Sequence, residues 1–375
     1  MTENTTIYTP TRKKKRSSGI DIVKIFAAFL VIVVHFFYHT AFYTAIPITG
    51  YEFLIPLMVF WTSYTCVPLF MITTGYLMNS KKLSKKYYKG MIKVIILYLM
   101  CSTVCLAYKQ FHGQPFDLWE ILRGYVRYSH SDYAWYVEQY LVMLLLIPFL
   151  NLAFNGLQTR KQHIALLATA IFLFSVAPVF FIGFDPDKQI KLFPDYMTNC
   201  YPIAYYYLGC FIKRYPPKKT LSNKMFSFTL WYGAVLFLAL STYIQSKENT
   251  ECYFRSYHYF NYCSYPVLAA SAGIFLLLFD IDIRNGAAAK LLSVISETTL
   301  LTYLLSVIFD TRLYGLFNNK YPYPDFMLRF RHIYEIVPKV YIYSLISAFA
   351  VLIVYKLGER TIRYLKKRRS NEISI

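Results

Sequence analysis

Asp21, Lys24 and His35 are the side chains whose types and spacing read most directly as chemistry. They sit in a stretch where Ile20 to Tyr38 is almost uninterruptedly apolar, close to the roughly 20 residues that a helix needs to cross a bilayer. At about 100° per residue, the steps from Lys24 to His35 amount to three turns plus about 20°. The ammonium and the imidazole therefore face the same way, about 16 Å apart. Asp21 precedes Lys24 by three residues and shares that face. Such groups cost several kcal/mol each in hydrocarbon, so a functional or cavity-lining role is the default reading. A cation suited to an anionic group would stand at one end, and at the other a proton acceptor that works near neutral pH. The plainer reading is a snorkelling lysine and an interfacial histidine. It accounts for Lys24 better than for His35, which still has Phe36, Phe37 and Tyr38 beyond it.

The elements that must position these groups are membrane spans. The chain has 375 residues, 56% hydrophobic and only 16% charged, and its apolar runs of about twenty residues describe an all-α polytopic membrane protein. The runs fall at about 20–38, 53–78, 91–108, 134–154, 163–183, 196–212, 225–244, 262–283, 291–316 and 336–357, which makes about ten transmembrane helices. A net charge of +20 would point to nucleic acid in a soluble protein. Here the basic residues cluster between apolar runs, which points to topology and to a lipid bilayer, with no nucleic-acid partner.

With the N-terminus in the cytoplasm, the segments on that side hold Arg12–Arg16, the Lys81–Lys93 cluster, Arg160-Lys161, the Lys213–Lys224 cluster, Arg284, Lys290 and the tail from Lys356 to Arg369. That is about 27 basic residues, against about 12 elsewhere, among them Lys188, Lys191 and Arg255. Both termini are then expected in the cytoplasm, with His35 toward the exterior. The first run is too long for a signal peptide and no A-x-A-like site follows, so it reads as an uncleaved span. Seven scattered cysteines lack metal-ligand spacing and read as packed thiols, although Cys252 and Cys263 could face an oxidising side. His39 makes an H-x-x-x-H pair with His35, but without a third ligand in view no metal is expected. No Gly-rich phosphate loop, H-E-x-x-H or G-x-S-x-G is present.

Three further stretches carry polar groups within apolar runs. Thr73-Thr74-Gly75-Tyr76-Leu77-Met78 ends the second span ahead of Lys81, and small residues there allow a neighbouring helix to approach closely. Trp135, Glu138, Gln139 and Tyr140 open the fourth span; an aromatic belt explains the tryptophan, but Glu138 lies deeper than a belt requires. The ninth span carries Ser296-Glu297, Tyr303-Leu304-Leu305-Ser306 and Asp310-Thr311-Arg312. The exterior segments, including Tyr257, His258, Tyr321 and Tyr323, mix aromatic and polar side chains, as sugar-binding sites do and as interfacial anchors also do.

Asp21-x-x-Lys24 followed by His35 resembles the first helix of the acyltransferase-3 family of membrane proteins that acylate cell-surface glycans. That family usually has arginine where this chain has Lys24, so the positive charge is kept and the planar fork is not. Thr74-Gly75-Tyr76-Leu77 with Lys81 resembles its Ser-Gly-Phe/Tyr-Leu signature and following basic residue. The Trp135-to-Tyr140 pattern with Pro148-Phe149-Leu150, and Tyr303-Leu304, look similar as well. In the last of these Ser306 replaces the family histidine, so either that histidine is not required or Asp310 and Arg312 supply polarity instead.

The resemblance implies a bacterial cytoplasmic-membrane O-acyltransferase with the transferase domain over 19–357, a basic N-terminus at 1–18 and a basic tail at 358–375. It would carry an acyl group, acetyl by preference, from cytoplasmic acetyl-CoA to a glycan hydroxyl outside. It implies His35 and Glu138 as catalytic; Asp21, Lys24, Gly75, Tyr76 and Lys81 around coenzyme A; and Trp135, Tyr140, Asp310 and Arg312 around the acceptor. His35 would act as general base or be transiently acylated. Some family members carry a fused extracytoplasmic transferase domain, so a separate partner could serve here. The rival readings are a flippase for a lipid-linked saccharide and a scaffold without chemistry.

Overall fold

The computed structural model describes residues 16–43, 46–179, 193–247, 253–254, 259–322 and 325–372. The readings made for Arg12 to Lys15, Lys188, Lys191, Cys252, Arg255, Tyr257, His258 and Tyr323 lie outside the described residues. In chain order the helices are α1 (Ser18–His39), α2 (Leu54–Ser63), α3 (Cys66–Met78), α4 (Lys85–Phe111), α5 (Leu118–Val126), α6 (Trp135–Gly156) and α7 (Arg160–Ile171). They continue with α8 (Tyr201–Arg214), α9 (Leu221–Lys247), α10 (Tyr265–Leu278), α11 (Gly286–Glu297), α12 (Thr299–Lys320), α13 (Phe326–Arg331) and α14 (Ile333–Glu372).

Among the described residues, eight helical stretches are long and apolar enough to cross a membrane, and the chain is an all-α polytopic membrane protein. They are Ser18–His39, Tyr51–Met78, Lys85–Phe111, Trp135–Gly156, Arg160–Val179, Leu221–Lys247, Thr299–Lys320 and Ile333–Lys366. The runs expected at 196–212 and 262–283 form the shorter helices α8 and α10. Two expected runs are broken. Residues 53–78 divide into α2 and α3 because Pro68, in the first turn of α3, has no N–H for the Tyr64 carbonyl. The Ser63 and Thr65 hydroxyls bond the nearby carbonyls of Phe60 and Thr62 instead. Residues 291–316 divide at Thr298, which caps α11 and bonds the Ile295 carbonyl, so the part before it is a separate helix. The segment between the runs expected at 91–108 and 134–154 holds α5, whose start is fixed by the reciprocal Asp117 and Glu120 capping bonds.

α1 runs through the middle of the assembly, in contact with α2, α3, α10, α11, α12 and α14. Its first half, Ile20, Val23, Ala27, Leu30 and Val31, belongs to one buried apolar cluster shared with α3, α4, α6, α8, α10 and α12. Its second half, Ile32, Val33, Phe36 and Phe37, belongs to another built on α2, α9, α12 and the 326–340 segment. Polar groups on α1 are therefore enclosed by protein, which is how an intramembrane charge becomes tolerable.

Candidate active site

At its far end, α1 presents His35 to α12. The His35 Nδ1 lies 3.0 Å from Oδ2 of Asp310, a side chain with no solvent exposure. The same oxygen accepts a bond of 2.8 Å from the Tyr133 hydroxyl. A carboxylate only accepts, so Nδ1 carries the imidazole proton and Nε2 is left with its lone pair, the basic position of the ring. The Tyr133 ring lies against His35 with centroids 3.9 Å apart. The second histidine, His39, donates from Nε2 to the Tyr133 hydroxyl at 2.8 Å and stacks on Tyr314 at 4.9 Å. Four groups thus form one chain of hydrogen bonds from His39 through Tyr133 to Asp310 and His35. The other carboxylate oxygen, Oδ1 of Asp310, is buried without a partner among the described residues and is an acceptor open to a further donor.

Packing holds Tyr133 in place. Its carbonyl accepts from the Tyr303 hydroxyl, and Ser131 Oγ donates to the Leu304 carbonyl at 3.1 Å. The segment leading into α6 is thereby stapled to α12, one to two turns before Asp310. Ser306 is fully buried and its hydroxyl turns back to the Tyr303 carbonyl. Asp310, one turn further along α12, is the residue that meets His35.

The near end of α1 is built differently. Lys24 Nζ donates to the Ser296 carbonyl at 2.6 Å and to its hydroxyl at 2.9 Å. Asp21 takes a two-pronged bond from Arg16, 2.8 Å on each prong, so the carboxylate is held by the arginine and not by Lys24. Arg16 also reaches the Ser293 carbonyl at 3.0 Å. The C-terminal end of α11 carries the negative end of its dipole, which favours the two cations that converge there. Glu297 beside them takes Lys356 at 2.6 Å and Arg16 at 3.8 Å. Burial pushes the Glu297 carboxyl up, but Lys356, Arg16 and Lys93 outweigh it and hold it below the usual carboxylate range.

Three adjoining cavities open around this end. One of about 250 Å³ runs from Lys24 past Thr73, Thr74 and Tyr140 to Tyr136 and Tyr303. A second, about 390 Å³, is lined by Arg16, Asp21, Lys24, Tyr76, Ser80 and Lys213. A third, about 170 Å³, is lined by Lys81, Lys86, Tyr87 and Tyr140. The first stops short of His35: Tyr303 closes its end, with its hydroxyl on the backbone of Tyr133 and its ring 6.1 Å from the Tyr133 ring. Tyr303, which lines the Lys24 cavity, and Tyr133, which lies against His35, stand between that cavity and the histidine.

The residues singled out in the sequence are distributed as follows. His35 and Asp310 meet directly; Asp21, Lys24 and Tyr76 share the second cavity, and Lys81 lies in the third. Gly75 is a packing residue, since a Cβ there would stand 2.0 Å from the Tyr206 carbonyl of α8. Tyr140 belongs to the Lys24 cavities and not to the His35 end. Trp135 is exposed on one side and stacks on Tyr262 with the other. Glu138 and Arg312 are both exposed, and the bonds around His35 involve neither. Glu138 follows the buried Tyr136 and Val137, and Arg312 stands two steps beyond the buried Asp310, each on an exposed part of its helix. Sequence reasoning missed Tyr133, Arg16 and Ser296 as partners. Tyr133 was visible only as an aromatic at the start of a span, and a serine or backbone carbonyl that receives a cation leaves no signal in sequence. Among the described residues no group of three or more His, Cys, Asp or Glu side chains could hold a metal ion.

In a comparison with known families, a model described as an acyltransferase domain, acyltransferase-3, matches residues 17–359, nearly the whole chain. No curated protein and no solved structure matches.

Proposed function

The chain belongs to the acyltransferase-3 family and is a membrane acyltransferase, and from this premise we propose that it moves an acyl group, acetyl first among the candidates, from coenzyme A to a hydroxyl of a surface glycan or lipid-linked glycan. The Lys24 end, where basic residues 81–93, 213–224 and 356–366 gather, would face the cytoplasm, where acyl-coenzyme A is found. The His35 end would face the acceptor on the outer side of the bacterial membrane.

The observation that carries the reading is the bonding of His35: its Nδ1 is committed to a buried carboxylate, and Nε2 is left basic. In the reaction, Nε2 takes the proton of the acceptor hydroxyl as its oxygen attacks the thioester carbonyl. The carbon–sulfur bond breaks, and the imidazolium returns the proton to the departing thiolate. Asp310 offsets the positive charge that the ring acquires, and Tyr133 keeps the shared carboxylate oxygen oriented. The same nitrogen would be the nucleophile in a stepwise route through an acyl-imidazole. In either route the thioester must pass the Tyr303 layer, so these rings move aside once per turnover.

The test is reconstitution of purified protein in liposomes with labelled acetyl-coenzyme A and a lipid-linked saccharide. Label should appear on the saccharide with wild type and disappear with His35→Ala. Movement of saccharide across the bilayer with no acylation would replace this reading with a flippase.

A further inference from the structure

The proposed function gives no role to Lys213 at the Lys24 end. Lys213 lies in the last turn of α8 and lines the same cavity of about 390 Å³ as Arg16, Lys24 and Tyr76. It is brought there by a reciprocal pair of glycines. At Gly75 of α3 a Cβ would meet the Tyr206 carbonyl at 2.0 Å, and at Gly209 of α8 a Cβ would meet the Ile72 carbonyl at 2.0 Å. The two helices therefore cross in backbone contact, an approach open only to residues without a Cβ. Lys213 is one turn beyond Gly209, so the crossing sets it beside Tyr76, one residue past Gly75. Its Nζ stands 4.2 Å from the centre of the Tyr76 ring.

A cation over an aromatic face is stabilised, yet it keeps its full charge and its N–H donors for another partner. The charge balance of the cavity points to what that partner is. Arg16 and Asp21 neutralise one another, whereas the closest bonded partners of Lys24 are the uncharged Ser296 oxygens. Lys24 and Lys213 thus leave about two positive charges facing one sheltered volume, with Ser80 and Asn79 on its rim. Paired charges of one sign in a partly dry cleft are matched by a polyanion of compact geometry. Lys81, the basic residue that follows the glycine signature, lies in the neighbouring cavity of about 170 Å³ and is exposed.

We infer that Lys213, set on Tyr76 by the Gly75–Gly209 crossing, is a donor-binding residue that together with Lys24 holds the phosphate groups of the acyl-coenzyme A. This rests on the acyl-donor reading above and adds to it a residue from a helix that no motif marked. Lys213 takes no part in the bond-making step, and its contribution is to the affinity for the anionic end of the donor alone.

The experiment measures binding of coenzyme A and of pantetheine, which lacks the phosphates and nucleotide, to the full chain in nanodiscs by calorimetry. Lys213→Met should weaken coenzyme A about tenfold or more, the effect of one lost charge-assisted bond, and leave pantetheine unchanged. Lys213→Arg should bind coenzyme A within about threefold of wild type, because charge and reach persist. In steady-state transfer, Lys213→Met should raise KM for the thioester and leave kcat near wild type. Should Lys213→Met fail to fold, Lys213→Gln is read in the same way. Equal loss of coenzyme A and pantetheine, or unchanged coenzyme A affinity in a folded variant, overturns the assignment. If wild type transfers acyl groups and Lys213→Met is indistinguishable from it, only the Lys213 assignment fails. If wild type binds no coenzyme A, the acyl-donor reading fails too.

Discussion

The two ends of α1 solve the same problem, a polar side chain inside a membrane, in opposite ways. At the Lys24 end the partners are backbone carbonyls and exposed or half-exposed charges: Arg16, Ser296, Glu297 and Lys356. Cavities open between them. At the His35 end a single carboxylate oxygen of a wholly buried Asp310 serves His35 and Tyr133, and His39 closes the chain behind them. A loosely compensated, open cluster suits a ligand that arrives with its own negative charge. A closed chain that leaves the lone pair of His35 Nε2 uncommitted suits chemistry, because each bond fixes a proton and the uncommitted ring nitrogen can accept another. On the proposed reading, binding and catalysis are separated along one helix, about three turns apart.

The sharpest way to break this contrast is to remove the base. His35→Ala should abolish acyl transfer, a loss on the order of 10³-fold or more, with coenzyme A affinity at the other end unchanged. A purely binding role for His35 would move affinity instead. Asp310→Asn comes next: the side chain keeps its size but no longer balances an imidazolium, and transfer should fall by about 10²-fold. Asp310→Ala should also lower the thermal midpoint, since it strands two buried donors at a cost of roughly 1–3 kcal/mol each. Both are read from single-turnover rates and thermal unfolding of the same samples.

Tyr133→Phe keeps the ring on His35 and removes only the hydroxyl, so its expected effect is smaller, about tenfold in kcat with little change in KM. A change in KM alone would place Tyr133 in acceptor binding. At the other end Lys24→Met should raise KM for the thioester about tenfold and Lys24→Arg much less, because one charge-assisted bond contributes about 1.5–3 kcal/mol. If Lys24→Met lowers kcat with KM intact, the division of labour along α1 is wrong.

The smallest effect concerns Glu297. Its carboxyl is held below the usual range in the folded chain, so its tie to Lys356 stabilises at neutral pH and is lost as pH falls through that lowered range. The pair is partly exposed, so Lys356→Met should cost no more than about 1 kcal/mol at pH 7. The difference from wild type should shrink in acid, as thermal unfolding at the two pH values would reveal.

Much of the architecture was legible before the structure. Runs of apolar residues identify spans because the bilayer leaves few alternatives for a chain that must satisfy its own backbone. The breaks at Tyr64-Thr65 and Thr298 were not legible, since both flanks are apolar and only hydrogen bonding distinguishes one helix from two. Of the site, Lys24 and His35 stood out because a polar side chain in an apolar run is conspicuous. Glu138 was conspicuous in the same way, but it faces outward, and a single helix cannot say which of its faces its neighbours will cover.

What the sequence by itself determined is the geometry within one helix: the period of 3.6 residues puts Lys24 and His35 on a common face at a known separation. Tertiary structure alone decided what each would touch. Asp310 lies 275 residues from His35 along the chain, and Tyr133 lies 177 residues from Asp310. Their meeting depends on how α12 and the segment before α6 pack on α1. Periodicity is a local property that composition exposes directly. Contact between distant segments is settled by the sum of many packing energies, none of which is written at either residue.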